Sequence, residues 1–129
     1  MRRLLLPLLA VLAASAASGC GDGLAPLAGT LEVTLDTPNS DDGAVLFVVA
    51  GGPIDQVDPA GYLTYSAPIG LAGTRVVVTG NLAPGVLVHL RVPDIHRAGS
   101  YTVVLEQVAA RAPGYPLRPL GGYRATVTP

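Results

Sequence analysis

His89, Asp94, His96 and Ser100 lie close together in the chain and supply the side-chain types of a hydrolytic relay: hydroxyl, imidazole and carboxylate. The surroundings do not fit that chemistry. Ser100 follows Gly99 at the expected start of a strand, without the flanking glycines of a nucleophile turn. His89 alternates with Leu87 and Arg91 on one strand face, and Asp94 to Gly99 reads as a loop, so no catalytic residue is assigned. Zinc chemistry would need a third ligand beside His89 and His96, and none stands at a recognisable spacing. Asn39, Asp41 and Asp42 in Asn39-Ser40-Asp41-Asp42-Gly43 form a candidate calcium set, because hard cations take clustered oxygens. The spacing is not that of an EF-hand loop. Asn and Asp ahead of Gly are also what a tight turn needs by itself, and the turn is the preferred reading. Asp55 and Asp58 bracket a second such turn, and no cofactor is expected.

Two further chemistries remain. Five tyrosines outnumber the single phenylalanine, and there is no tryptophan. Exposed tyrosines stack on sugars or anchor protein partners. Tyr62, Tyr65 and Tyr115 are therefore candidate contact residues, with Arg118 in the pre-extended stretch Tyr115-Pro116-Leu117-Arg118-Pro119, although packing in the core or at its rim is the preferred reading of the tyrosines. The other chemistry is that of Cys20, the lone cysteine. It follows Met1-Arg2-Arg3, an apolar run from Leu4 to Ala14 and a small-residue exit, which is the order of a secretory signal. The apolar run is far short of the ~20 residues a membrane span needs.

Ala17-Ser18-Gly19-Cys20 resembles the lipobox of bacterial lipoproteins, with Ala17 where leucine is commonest. The resemblance implies cleavage before Cys20 and a diacylglyceryl group on its thiol. One acyl chain binds membranes only marginally, whereas two hold stably. It thus implies a cell-envelope protein held to a membrane through Cys20. Asp22 does not occupy the position adjacent to the cysteine that is associated with inner-membrane retention, which favours the outer membrane. Residues 1–19 are read as the signal, 20–29 as the lipidated N-terminus and short tether, and 30–129 as one β domain.

The length suits a single domain with a modest core. Eight basic residues, all arginine, face nine acidic ones, and loss of Arg2 and Arg3 with the signal makes the remainder more acidic. Such a chain has no basic stripe, and nucleic acid is excluded as an expected partner. One cysteine excludes a disulfide framework or a thiolate metal site. High apolar content with low charge excludes a disordered tail.

The elements that must position these residues read as strands separated by Gly, Pro, Asn and Asp. Leu31, Val33 and Leu35 alternate with polar residues. Ala44 to Ala50 is a continuous apolar run, as in a strand covered on both faces. Tyr62 to Tyr65 is short, and Arg75 to Thr79 is rich in valine. Val86 to Val92 alternates, with Val86, Val88, Leu90 and Val92 inward and Leu87, His89 and Arg91 on the wetter side. Tyr101 to Val108 and Tyr123 to Thr128 complete about seven strands, and Ala112 to Gly121 is loop or extended edge. Without crossover helices, this spacing predicts an all-β antiparallel sandwich, Ig-like or cohesin-like.

Ala44-Val45-Leu46-Phe47-Val48-Val49, the pair Val86 to Val92 and Tyr101 to Val108, and Gly122-Tyr123-Arg124-Ala125-Thr126-Val127 resemble core and closing strands of the cohesin-type sandwich of exported bacterial proteins. The resemblance implies binding through a sheet face. The expected function is a lipid-anchored, non-enzymatic binding or display module whose partner is an envelope protein or carbohydrate. A structural accessory subunit of an envelope assembly is the alternative, and a hydrolase or metal enzyme ranks below both.

Overall fold

The computed structural model describes residues 24–71 and 73–129. The signal segment, Cys20 and the first part of the expected tether, residues 1–23, lie outside the described residues. The described chain forms nine strands: β1 (Gly29–Asp36), β2 (Asp42–Ala50), β3 (Gln56–Pro59), β4 (Leu63–Ile69), β5 (Gly73–Leu82), β6 (Gly85–Val92), β7 (Thr102–Ala110), β8 (Leu117–Arg118) and β9 (Arg124–Thr128). A 3-10 helix, Ile95–Ser100, precedes β7. The strands make two antiparallel sheets, β3-β6-β1-β9 and β4-β5-β2-β7-β8, and the fold is a β-sandwich.

The inward residues of both sheets meet in one core. Leu31, Val33 and Leu35 of β1 face Val45, Phe47 and Val49 of β2, with Val76, Val78, Leu82, Leu87, Leu90 and Val108 around them. All are fully buried or within 1% of it. Each such side chain contributes about 1.5–3 kcal/mol by leaving water, so the alternating pattern stabilises both sheets.

Nine strands form where seven are expected. The additions are β8, which is only two residues long, and β3, whose Asp58 and Pro59 read as turn residues. An ion pair from Asp58 to Arg91 Nε at 2.7 Å fastens β3 to β6. Two-residue parity also fails at Leu87. Val33 pairs with Val88 but Thr34 pairs with Val86, so Leu87 is the extra residue of a β-bulge and turns inward to full burial. Asp94 to Gly99, expected as loop, begins the 3-10 helix because the Asp94 carboxylate accepts from the His96 N–H at 3.1 Å. β2 is not covered on both faces: Ala44, Leu46, Val48 and Ala50 alternate as half-buried residues on its outer side.

The registers sort the loops into two ends. Gly29 pairs with Val92 and Ala50 with Gly73 and Thr102, so the β2–β3, β4–β5 and β6–β7 connections share the end where β1 begins. The β1–β2, β3–β4, β5–β6, β7–β8 and β8–β9 connections share the opposite, far end. At the near end the chain is fixed from Leu27, before β1. Its N–H donates to Asp94 Oδ1 at 3.4 Å, and its carbonyl accepts from the Ile95 N–H at 2.7 Å. Of the segment expected as a tether, 20–29, the part from Leu27 onward is thus docked on the domain.

Gly51 makes the closest approach at this end. Its φ is +107°, and a Cβ there would stand 1.8 Å from the Ser100 carbonyl oxygen. Tyr101 packs beside it and donates its hydroxyl to the Pro53 carbonyl at 2.6 Å. Gly51→Ala combines a left-handed backbone with a backbone clash and should destabilise the domain by about 2 kcal/mol or more, read as a lowered urea midpoint with unchanged slope.

Candidate functional site

The far end holds the candidate calcium residues, and both carboxylate oxygens of Asp42 are already engaged. Asp42 opens β2 and is fully buried. Its Oδ1 accepts from the Tyr123 hydroxyl at 2.7 Å, its Oδ2 from the Thr37 hydroxyl, and Arg118 stands 3.5 Å away. Asn39 Nδ2 donates to the Tyr123 oxygen at 2.7 Å, and Thr37 Oγ1 accepts the Asn39 N–H at 3.0 Å. Arg118 reaches Asp41 at 2.6 Å. Hydrogen bonding to Tyr123 first, and then to Asp41, raises the guanidinium pKa above its already high ordinary value and keeps Arg118 charged. Arg111 Nε donates to the Asp42 carbonyl at 3.2 Å. The acids thus take their counter-charge from an arginine, and Arg118, read as a contact residue, is turned onto Asp41 and Asp42. Among the described residues no group of three His, Cys, Asp or Glu side chains is placed to hold a metal.

The hydrolytic residues do not assemble. His89 lies on the outer face of β6, 3.9 Å from Glu32. His96 and Asp94 meet at 3.1 Å, while the Ser100 hydroxyl donates to the Arg97 carbonyl at 2.7 Å, so no imidazole activates it. Burial opposes ionisation of Asp94, but the His96 and Leu27 N–H donors prevail and hold its pKa below the ordinary 3.8.

The tyrosines separate. Tyr62 precedes β4, packs against the core and accepts the Ala83 N–H at 3.3 Å, so it is a structural residue. Tyr65 stands 63% exposed on the outer face of the five-stranded sheet. Tyr115 is exposed in the β7–β8 loop, with φ of 44° in the left-handed region. It borders an open groove of about 690 Å³ walled by Gly43, Ala44, Thr79, Gly80, Asn81, Arg111 and Ala112.

The two outer faces differ in kind. On the four-stranded sheet, pairing aligns Glu32 with His89, Asp58 with His89, Gln56 with Arg91 and Thr34 with Thr126, so that face is mostly polar, with Val86, expected inward, turned outward beside Thr34 by the bulge. On the five-stranded sheet, Tyr65 pairs with Val77, Val77 with Leu46, and Val48 with Val104. Leu63 flanks this row beside Thr79, and Leu117 extends it beside Ala109. Leu63 and Val104 are each 60% exposed and Leu117 is 66% exposed. Arg75 and Glu106, 3.3 Å apart, reach across β2 as an ion pair on this face. Four strands about 4.8 Å apart, each with three outward residues about 6.8 Å apart, give a patch on the order of 400 Å². Arg75, Thr79 and Glu106 take a share of that area, so the apolar part is smaller than the face. Even the whole face is half of the ~800 Å² that one side of a standard protein interface buries, so a full contact would need the adjoining groove and Tyr115 as well. Outward apolar parity was legible along β2, but the patch forms only when β4 and β7 are placed beside it.

No family model, curated protein or solved structure matches the chain.

Removing the Asp42 partners separately measures the far-end network. Asp42→Ala leaves Arg118 and Tyr123 without their central acceptor and should cost about 3–5 kcal/mol. Tyr123→Phe removes one donor to the buried carboxylate and should cost about 1–3 kcal/mol. Both are read by urea unfolding, with added calcium restoring neither. Asp94 supplies a pH test. Its folded pKa is depressed, so its contribution is complete above 3.8 and lost as pH falls through the lower folded value. The urea midpoint of the wild type should exceed that of Asp94→Asn at neutral pH, and the difference should vanish in strong acid.

Proposed function

We propose that this protein is a lipid-anchored, non-enzymatic binding module of the bacterial cell envelope, which presents the outer face of its five-stranded sheet to a protein partner. The observation that carries the reading is the contrast between the faces. Glu32, Asp58, His89 and Arg91 make one outer face suited to water. Leu46, Val48, Tyr65, Val77 and Val104 make the other suited to a dry contact. A protein fits this surface better than a carbohydrate, because sugar sites combine stacked aromatic rings with polar groups, and among the described residues Tyr65 is the only aromatic residue on the sheet face.

The edges favour a face over strand addition. β4, the longest sheet edge, carries Pro68, and the other edges are β3, ending at Pro59, the two-residue β8 and the five-residue β9. Anchoring rests on the lipobox resemblance at Ala17-Ser18-Gly19-Cys20. The dryness of the patch also favours a long-lived partner, as for an accessory subunit of an envelope assembly, with the same face in use.

A single preparation tests both parts. Protein from the membranes of its own cells should begin at Cys20 with the mass of acyl chains, and Cys20→Ala should lose that mass and leave the membrane. In the same cells, a photocrosslinking residue at Tyr65 or Val48 should give a discrete protein adduct that Leu46→Arg abolishes, while a crosslinker at Thr126 gives none. An unmodified Cys20 would overturn the anchor. Equal labelling from both faces would overturn the binding face.

A further inference from the structure

Three large side chains left in water cluster at the near end of the sandwich. Leu24 and Leu27 are 69% and 57% exposed in the segment leading into β1, and Leu71, in the β4–β5 turn, is fully exposed. The register places that turn at the same end as the start of β1, because Gly73 pairs with Ala50 and Gly29 with Val92. None of the three belongs to the core, and none lies on the sheet face proposed to bind a protein.

The chain itself names what they face. Leu27 is held to the domain by Asp94 and Ile95, so the free leash from Cys20 is seven residues long at most. Fully stretched, seven residues reach about 25 Å, and the four from Cys20 to Leu24 about 14 Å. Any ordinary bend shortens both. If Cys20 sits at the acyl boundary of a bilayer, the end of the domain that carries the leucines stays within about 25 Å of that boundary, near enough to reach the headgroup layer, which is about 5–8 Å deep. Charge does not keep it away. Asp94 is paired with His96 at 3.1 Å, and exposed Asp55 is offset by exposed Arg97.

We infer that the near end of the sandwich is a lipid-contacting surface, with Leu24, Leu27 and Leu71 seated in the interfacial layer of the membrane. This rests on the anchored reading proposed above and adds to it an orientation. The long axis stands away from the bilayer, the far end points outward, and the five-stranded face lies upright beside the membrane. The acyl chains then supply affinity, while the leucines fix the domain's pose.

The test uses the full acylated chain purified from bacterial membranes and reconstituted into vesicles of phosphatidylethanolamine and phosphatidylglycerol carrying a nitroxide lipid. Cys20 is blocked by its own acyl group, so a fluorophore can be placed singly at Leu71→Cys or at Tyr115→Cys, both exposed positions that leave the core intact. The expected result is strong quenching at Leu71 and none at Tyr115, with quenching at Leu71 lost in the Leu24→Ser/Leu27→Ser background although the protein still floats with the vesicles. Absence of quenching at both positions in floating protein would overturn the lipid-contacting end and leave the anchor standing. Equal quenching at both would place the domain on its side and overturn the orientation. Protein that neither carries acyl mass nor floats would overturn the anchor, and this inference with it.

Discussion

A carboxylate with no access to water must be satisfied by its neighbours or not be there. Asp42 is that group, and the far end of the sandwich is organised around it. Thr37 comes from the β1–β2 turn, Arg118 from β8 and Tyr123 from the entry to β9, so three connections are committed to one side chain. Arg111 reaches the same residue's carbonyl from the end of β7. The network explains why a proline- and glycine-rich stretch from Ala112 to Gly121 follows a defined path with only a two-residue strand in it. Its shape is set by where its arginine and tyrosine must arrive. Such an arrangement adds less net stability than its bonds suggest, because desolvating the charges costs several kcal/mol. Its effect is to make one closure of the far end far better than any other.

The strand faces were readable wherever one strand obeyed its own alternation. Leu31, Val33 and Leu35, or Val76 and Val78, need no knowledge of their partners to be assigned inward. The reading failed where a second strand decides the matter. Leu87 is buried because the β1–β6 ladder slips by one residue, a property of the pair and not of Val86 to Val92. β3 was hidden because Asp58 looks like a turn residue until Arg91, diagonally across on β6, reaches it. The candidate site followed the same rule. Local character did not separate the exposed Tyr65 and Tyr115 from Tyr62, which packs on the core, and the commitment of Arg118 to Asp41 and of Tyr123 to Asp42 spans most of the chain. The apolar character of β2 was evident. Which of its faces lacked a cover was not, because that depends on β4, β5 and β7 lying in one plane.

A division of labour follows from the two sheets. The four-stranded sheet has a polar exterior and receives the tether through β1. The five-stranded sheet has the apolar exterior and no direct covalent link to the tether. The sites proposed for membrane and partner therefore sit on different parts of the molecule, joined by the shared core. Occupation of one need not obstruct the other.

The place of β1 has a mechanical consequence. It lies between β6 and β9, bonded to both, and the segment expected as the tether leads into it. A pull between a membrane-held tether and a partner held by the domain would load β1 lengthwise. Its two hydrogen-bond ladders would then have to shear together, with no edge from which to peel one bond at a time. On the anchoring proposed above, the joint to the membrane is made at the strand best placed to carry tension.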